Sequence, residues 1–153
     1  HLHHGLLLQL PQCRFYNIRK LKGKDYEYYK NDIAEVVKVA HDAGVECKAI
    51  LEVSFLTDDE IVAACELAAE AGADWVKTST GRHGGPTLEQ VRLMRQSSPP
   101  HVKVKVAGTG SFWTPMVVLG CILAGAERIG TRNAPWIVDE LSGIIADMLK
   151  QQK

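Results

Sequence analysis

Three alanine-glycine turns at a regular interval constrain this chain more than any other feature: Ala43-Gly44-Val45, Ala71-Gly72-Ala73 and Ala124-Gly125-Ala126. Gly44 to Gly72 spans 28 residues and Gly72 to Gly125 spans 53, close to one and two copies of the same unit. Each glycine closes a stretch with helical spacing of apolar residues and opens a short extended one. A helix, a stop and a strand repeated at nearly constant length are what a parallel sheet with right-handed crossovers requires.

The first helix is expected over Asp25 to Ala43, with Ile33, Val36, Val37 and Ala40 on one face, followed by a strand over Val45 to Glu52. Thr57 and Glu60 make a capping box for a helix with the stripe Ile61, Ala64, Cys65 and Ala68. Trp75 to Ser79 reads as the next strand, and Thr87 with Gln90 caps a short helix carrying Val91 and Met94. Val102 to Ala107 is a strand. Thr114-Pro115 opens a helix with Val117, Val118, Cys121 and Ile122 on its apolar side. A strand at Arg128 to Gly130 precedes a last helix from Ala134, with Ile137, Leu141, Ile144, Ile145 and Met148 turned inward. A strand at Cys13 to Ile18 completes five strands and five helices.

The expected fold class is α/β, a partial (βα)8 TIM barrel of about five parallel βα units over residues 13–150, after an irregular segment at 1–12. An open doubly wound sheet is the alternative, but equal spacing and polar residues at strand ends favour the barrel. A whole barrel takes about 250 residues, so a chain of 153 leaves strand edges and an apolar interior to cover. Self-association or a second chain covering the open barrel is therefore expected.

Eighteen basic and eighteen acidic residues cancel, so neither nucleic acid nor a membrane surface is an expected partner. Leu6 to Leu8 with Leu10 is too short to span a bilayer. No targeting segment is read. Cys13, Cys47, Cys65 and Cys121 are scattered, unlike zinc or disulfide frameworks, which fits a reducing, cytoplasmic setting. His1, His3 and His4 read as an exposed terminus rather than a metal cluster, and no metal or cofactor is expected.

Chemistry is expected at Lys77, which sits within the strand Trp75-Val76-Lys77-Thr78-Ser79, because lysine is seldom buried without a reason. On the next strand, His101, Lys103 and Lys105 alternate with Val102, Val104 and Val106, which turns the valines to the helices and the lysines to the other face. Adjacent parallel strands would bring Lys77 and Lys105 together, and two ammonium groups in a poorly hydrated site depress each other's charge. One is left as a free amine able to attack a carbonyl. The competing reading makes His101, Lys103 and Lys105 the wet side of an edge strand, with Lys77 at the rim.

The segment Ala73-Asp74-Trp75-Val76-Lys77-Thr78-Ser79-Thr80-Gly81 resembles the Schiff-base segment of the deoxyribose-phosphate aldolases. Lys105-Val106-Ala107-Gly108 is similar to that family's second-lysine segment. Ala49-Ile50-Leu51-Glu52, Leu56-Thr57-Asp58-Asp59-Glu60-Ile61, Ala124-Gly125-Ala126 and Arg128-Ile129-Gly130-Thr131 match in order and spacing. The resemblance covers about Phe15 to Leu141. It implies a lyase of deoxyribonucleotide catabolism that cleaves 2-deoxy-D-ribose 5-phosphate to acetaldehyde and D-glyceraldehyde 3-phosphate, with Lys77 forming the imine and Lys105 tuning it.

The resemblance also implies a small phosphorylated sugar or aldehyde as ligand, its phosphate held by Gly108, Thr109, Gly130, Thr131, Arg132 and Asn133, while Thr80 and Gly81 line the substrate and Arg82 reaches it. Gly108, Gly110, Gly130 and Arg132 have bland readings too, as turn glycines and a solvated side chain. The family places serine-like residues where Arg132 and Asn133 stand. Its proton-relay aspartate falls at Cys13, four residues before Asn17-Ile18-Arg19, and its first three βα units find no counterpart. The alternative function is therefore a catalytically impaired remnant that is structural or binds phosphate or a partner.

Overall fold

The computed structural model describes the backbone of residues 12–13, 17–109 and 112–151, and the side chains of 17–109 and 112–150. Five parallel strands form one sheet in sequential order: β1 (Gln12–Cys13), β2 (Lys48–Ile50), β3 (Trp75–Lys77), β4 (Lys103–Ala107) and β5 (Arg128–Gly130). The intervening helices are α1 (Ile18–Lys22), α2 (Tyr26–Asp42), α3 (Asp58–Glu70), α4 (Leu88–Ser97) and α5 (Pro115–Leu123), with α6 (Ala134–Gln151) last. Sequential order without a reversal is barrel topology, and the strands form an arc of a (βα)8 barrel.

Local chemistry sets these boundaries. The Thr57 amide donates to Glu60 Oε2 at 2.9 Å while the Glu60 amide donates back to Thr57 Oγ1 at 3.3 Å, so both arms of the capping box close. Thr87 and Gln90 repeat the device at 3.0 and 3.1 Å. The three turn glycines all have positive φ, and Gly125 is also pressed against its neighbours: a Cβ there would stand 2.4 Å from Arg95 Cγ. That guanidinium ties α4 to two strands through the carbonyls of Ser98, Pro99 and Val102 and the carboxylate of Glu127.

The core lies between sheet and helices. Val102, Val104 and Val106 are wholly buried, packed against α3, α4 and α5 residues such as Cys65, Met94 and Cys121. Each such side chain contributes on the order of 2 kcal/mol by leaving water. The opposite, concave face carries Lys48, Trp75, Lys77, Lys103, Lys105 and Arg128.

Several expectations are corrected. The strand expected over Cys13 to Ile18 is confined to Gln12–Cys13, and Asn17 instead caps α1 by accepting from the Lys20 amide at 3.3 Å, so that Leu21 is buried. On α2 the buried stripe is Tyr29, Ile33, Val37 and Ala40, whereas Val36 is exposed one step round the helix. Ile145 and Met148 are more than half exposed, because no described strand follows β5 for the distal half of α6 to cover. Cys65 and Cys121 are buried free thiols, but Cys47 is disulfide-bonded, against the reading of reduced cysteines throughout. The terminal histidines, Gly110 and the side chain of Cys13 lie outside the described residues. No described helix is long and apolar enough to cross a membrane, and among the described residues no group of acidic, histidine and cysteine side chains is arranged to hold a metal.

Candidate active site

Parallel register decides which side chains meet. Lys77 pairs with Ile50 on one side and Lys105 on the other, and Lys105 pairs with Arg128. Registered neighbours in a parallel sheet point to the same face. Lys77 and Lys105 therefore stand side by side on the concave face, as the valine alternation predicts, and the edge-strand reading does not hold: β4 lies between β3 and β5.

Both amines border a cavity of about 680 Å³ at the carboxyl ends of the strands. Its wall includes Thr80, Gly81 and Arg82 after β3, Gly108 and Thr109 after β4, and Gly130 with Thr131, Arg132 and Asn133 at the end of β5. The structure thus gathers every candidate residue into one space, at the end of a barrel where ligand-binding loops belong. The glycines make that space: a Cβ on Gly130 would lie 3.2 Å from Lys105 Cε, and one on Gly108 would lie 2.8 Å from Phe112 Cδ1 and 3.0 Å from Gly85 Cα. At the rim the Asn133 amide donates to Thr131 Oγ1 at 3.1 Å, ordering the turn that enters α6.

The site disfavours ammonium. Only 6% of Lys77 is exposed, and burial first, then the charge of Lys105, pushes its pKa below 10.5, against an upward pull from Glu52. Burial and then Arg128 lower the Lys105 amine in turn. These are the conditions under which a lysine becomes a nucleophile near neutral pH.

Two residues escaped the sequence reading. Trp113 is nearly buried, lines the cavity and donates its indole N–H to the Gly108 carbonyl at 2.9 Å, which fixes the loop after β4. Its position in a loop between two glycines and a proline gave no periodic signal. Glu52 is fully buried and left-handed, with φ 48° and ψ 60°, a conformation that costs a non-glycine residue about 1–3 kcal/mol. Its Oε2 accepts from the Thr80 amide at 3.0 Å and the Thr80 hydroxyl at 2.7 Å. A glutamate closing the apolar run Ala49-Ile50-Leu51 was the available signal. Beside it, Thr78 and Ser79 both donate their hydroxyls to the Ala107 carbonyl, at 3.2 and 2.7 Å, locking β3 to β4 just beyond the two lysines.

No protein-family model matches the chain. Among curated proteins it is similar to the deoxyribose-phosphate aldolase of Thermococcus kodakarensis, at 57% identity over 124 residues, covering 80% of this chain and 54% of that one. The deoxyribose-phosphate aldolase of Thermoanaerobacter pseudethanolicus is 46% identical over 126 residues, covering 81% and 56%. The chain therefore spans about half the length of the curated relatives it matches. Among solved structures, a tetrameric deoxyribose phosphate aldolase from Aeropyrum pernix superposes with a TM-score of 0.68 at 27% identity, covering 78% of this chain and 51% of its own. An aldolase called QR15 gives 0.67 at 36%, covering 76% and 51%.

Proposed function

We propose, from the chain's membership of the deoxyribose-phosphate aldolase family over the matched residues, that Lys77 is an imine-forming amine for a phosphorylated deoxysugar aldehyde. The observation that carries this reading is the registered pair of Lys77 and Lys105 at the wall of the cavity. The neutral amine adds to the aldehyde carbon, and loss of water leaves a protonated imine. That cation draws the electron pair of the adjacent carbon-carbon bond toward nitrogen as the neighbouring hydroxyl gives up its proton and becomes a carbonyl. Cleaved this way, 2-deoxy-D-ribose 5-phosphate yields D-glyceraldehyde 3-phosphate and an enamine, which is protonated and hydrolysed to acetaldehyde.

Lys105 has the tuning role, keeping Lys77 deprotonated. Amides and hydroxyls of the loops at Gly108–Thr109 and Gly130–Asn133 hold the phosphate, with Arg132 as counter-ion, and Thr80, Gly81 and Arg82 flank the sugar. Backbone donors at such turns favour an anion. A phosphorylated sugar is confined inside the cell by its charge, so the proposed setting is the cytoplasm.

The test is reductive trapping. Incubation with acetaldehyde and borohydride should place one adduct on Lys77, and peptide mapping of a Lys77→Ala variant should find it gone. Labelling that persists unchanged in that variant would show that the reactive amine lies elsewhere.

A further inference from the structure

The inference concerns Glu52, and it rests on the reading of Lys77 as the imine-forming amine. The carboxylate is wholly buried and lines no part of the cavity, so it does not meet a substrate. Its contact with the cavity is indirect, through Thr80, whose amide and hydroxyl both donate to the one oxygen Oε2. Because the hydroxyl proton is committed to Glu52, the Thr80 oxygen has only lone pairs left to offer, and the Arg82 amide takes one at 3.4 Å. The second carboxylate oxygen, Oε1, is buried without a hydrogen-bond partner among the described residues.

A buried carboxylate with one idle oxygen, on a left-handed non-glycine backbone, weakens a fold. Residues that break local rules in this way collect at functional sites. The surrounding charges supply the reason. Around Lys77 stand Lys48 on β2, Lys105 on β4 and Arg128 on β5, with Arg82 and Arg132 in the loops, all cationic. Glu52 stands between Leu51, whose amide donates to the Lys77 carbonyl at 2.9 Å, and Val53, whose amide donates to the Thr78 carbonyl at 2.8 Å, and its charge acts on the Lys77 amine against the burial and the Lys105 charge.

We propose that Glu52 is a positioning residue for Lys77: it clamps Thr80 at the cavity wall and sets a carboxylate beside the strand that carries the amine, which tunes the pH at which the amine becomes reactive. Without this anion the amine would stay neutral to a lower pH, yet the imine it formed would hold less firmly the proton that makes it an electron sink. Glu52 balances the two demands: it tempers the cations that free the amine and stabilises the iminium that follows.

Two variants of the full chain test this by opposite signs. Acetaldehyde trapping with cyanoborohydride, mapped to Lys77 across a pH series, gives the midpoint of amine reactivity. Glu52→Gln keeps an acceptor for Thr80 and removes the charge, so the midpoint should fall and labelling on its acidic side should rise about threefold to tenfold. Thr80→Val removes the hydroxyl donor and leaves the carboxylate charge less neutralised, so the midpoint should rise. A merely structural role would change the amount of labelled protein and not its midpoint. If Glu52→Gln does not fold, Thr80→Val decides alone: a raised midpoint supports the proposal and an unmoved one overturns it. Unmoved midpoints in two folded variants overturn it while leaving Lys77 as the imine former. A wild-type chain that carries no label at Lys77 at any pH removes both readings together.

Discussion

Two layers of the same concave face carry lysines one strand-period apart and do different things with them. In the lower layer Lys48, Trp75 and Lys103 are in register, and Trp75 is nearly buried beneath cations: Lys103 Nζ lies 4.9 Å from the ring centroid, Lys48 Nζ 5.6 Å and the Arg128 guanidinium 4.5 Å. Glu46 completes that layer, accepting from Lys103 at 2.9 Å and from the Trp75 indole at 2.8 Å. In the upper layer Lys77 and Lys105 border the cavity, and the nearby carboxylate is turned to Thr80. Aromatic and carboxylate partners stabilise a lysine as an ammonium ion. Burial beside other cations does the reverse, and it yields a reactive group only where a carbonyl can reach it. Lys48 makes the point, since its amine is lowered to about 8, chiefly by burial, yet only 2% of the residue is exposed and it takes no part in the cavity.

The contrast is sharpened most by deleting one cation from each layer. Lys105→Met removes the like charge beside Lys77, so the Lys77 pKa should rise and trapping by acetaldehyde at neutral pH should drop about tenfold. Lys103→Met removes a cation that already has a carboxylate and should leave trapping within about twofold. Equal effects from the two variants would mean that net charge alone, not the layering, governs the amine.

A smaller change is expected from Gly130→Ala. The added methyl would meet Lys105 Cε at 3.2 Å and push that side chain aside without removing its charge. Trapping at Lys77 should fall in the same direction as in Lys105→Met, by about threefold. An increase would show that crowding the two amines matters more than their alignment.

How much of this was legible in the sequence follows the range of each interaction. Thr57 with Glu60, Thr87 with Gln90, and Thr114 with Pro115 act within one helical turn, so their motifs name the helix starts directly. The valines of β4 reveal its facing because side-chain alternation is local, and this is what put Lys77 and Lys105 on one face. Asn17 was ambiguous: the stretch up to Ile18 reads as strand, and only the burial of Leu21 in the core makes a helix there worthwhile. Burial on α6 was misjudged for the same reason, since Ile145 and Met148 have helical spacing but no described partner surface. Glu52 was the least legible. Its role depends on Thr80, 28 residues away, and on a left-handed backbone that no residue type at that position announces.

The smallest effect belongs to the lower layer and reads out as stability. Lys48 has a folded pKa of about 8 against an ordinary 10.5. Below about pH 8 the lysine is charged in both states, and the folded state bears the full penalty of burying that charge. As pH rises from about 8 to about 10.5, the folded chain releases the proton before the unfolded chain does, so the unfolded state binds more protons and stability should increase. Two and a half units is nominally about 3 kcal/mol, but the attraction of the ammonium for the Trp75 ring is lost along with the proton. A net gain on the order of 1 kcal/mol is expected from urea denaturation on moving from neutral pH to about 9.5. Lys48→Met keeps the volume and removes the titration, so this variant should be more stable than the parent at neutral pH and lose its own contribution to the alkaline rise. A methionine variant that shows the same rise would place the cost of burial on Lys77 and Lys105 instead and erase the distinction between the layers, and a parent whose stability is flat across that range would show that none of the buried lysines carries such a cost.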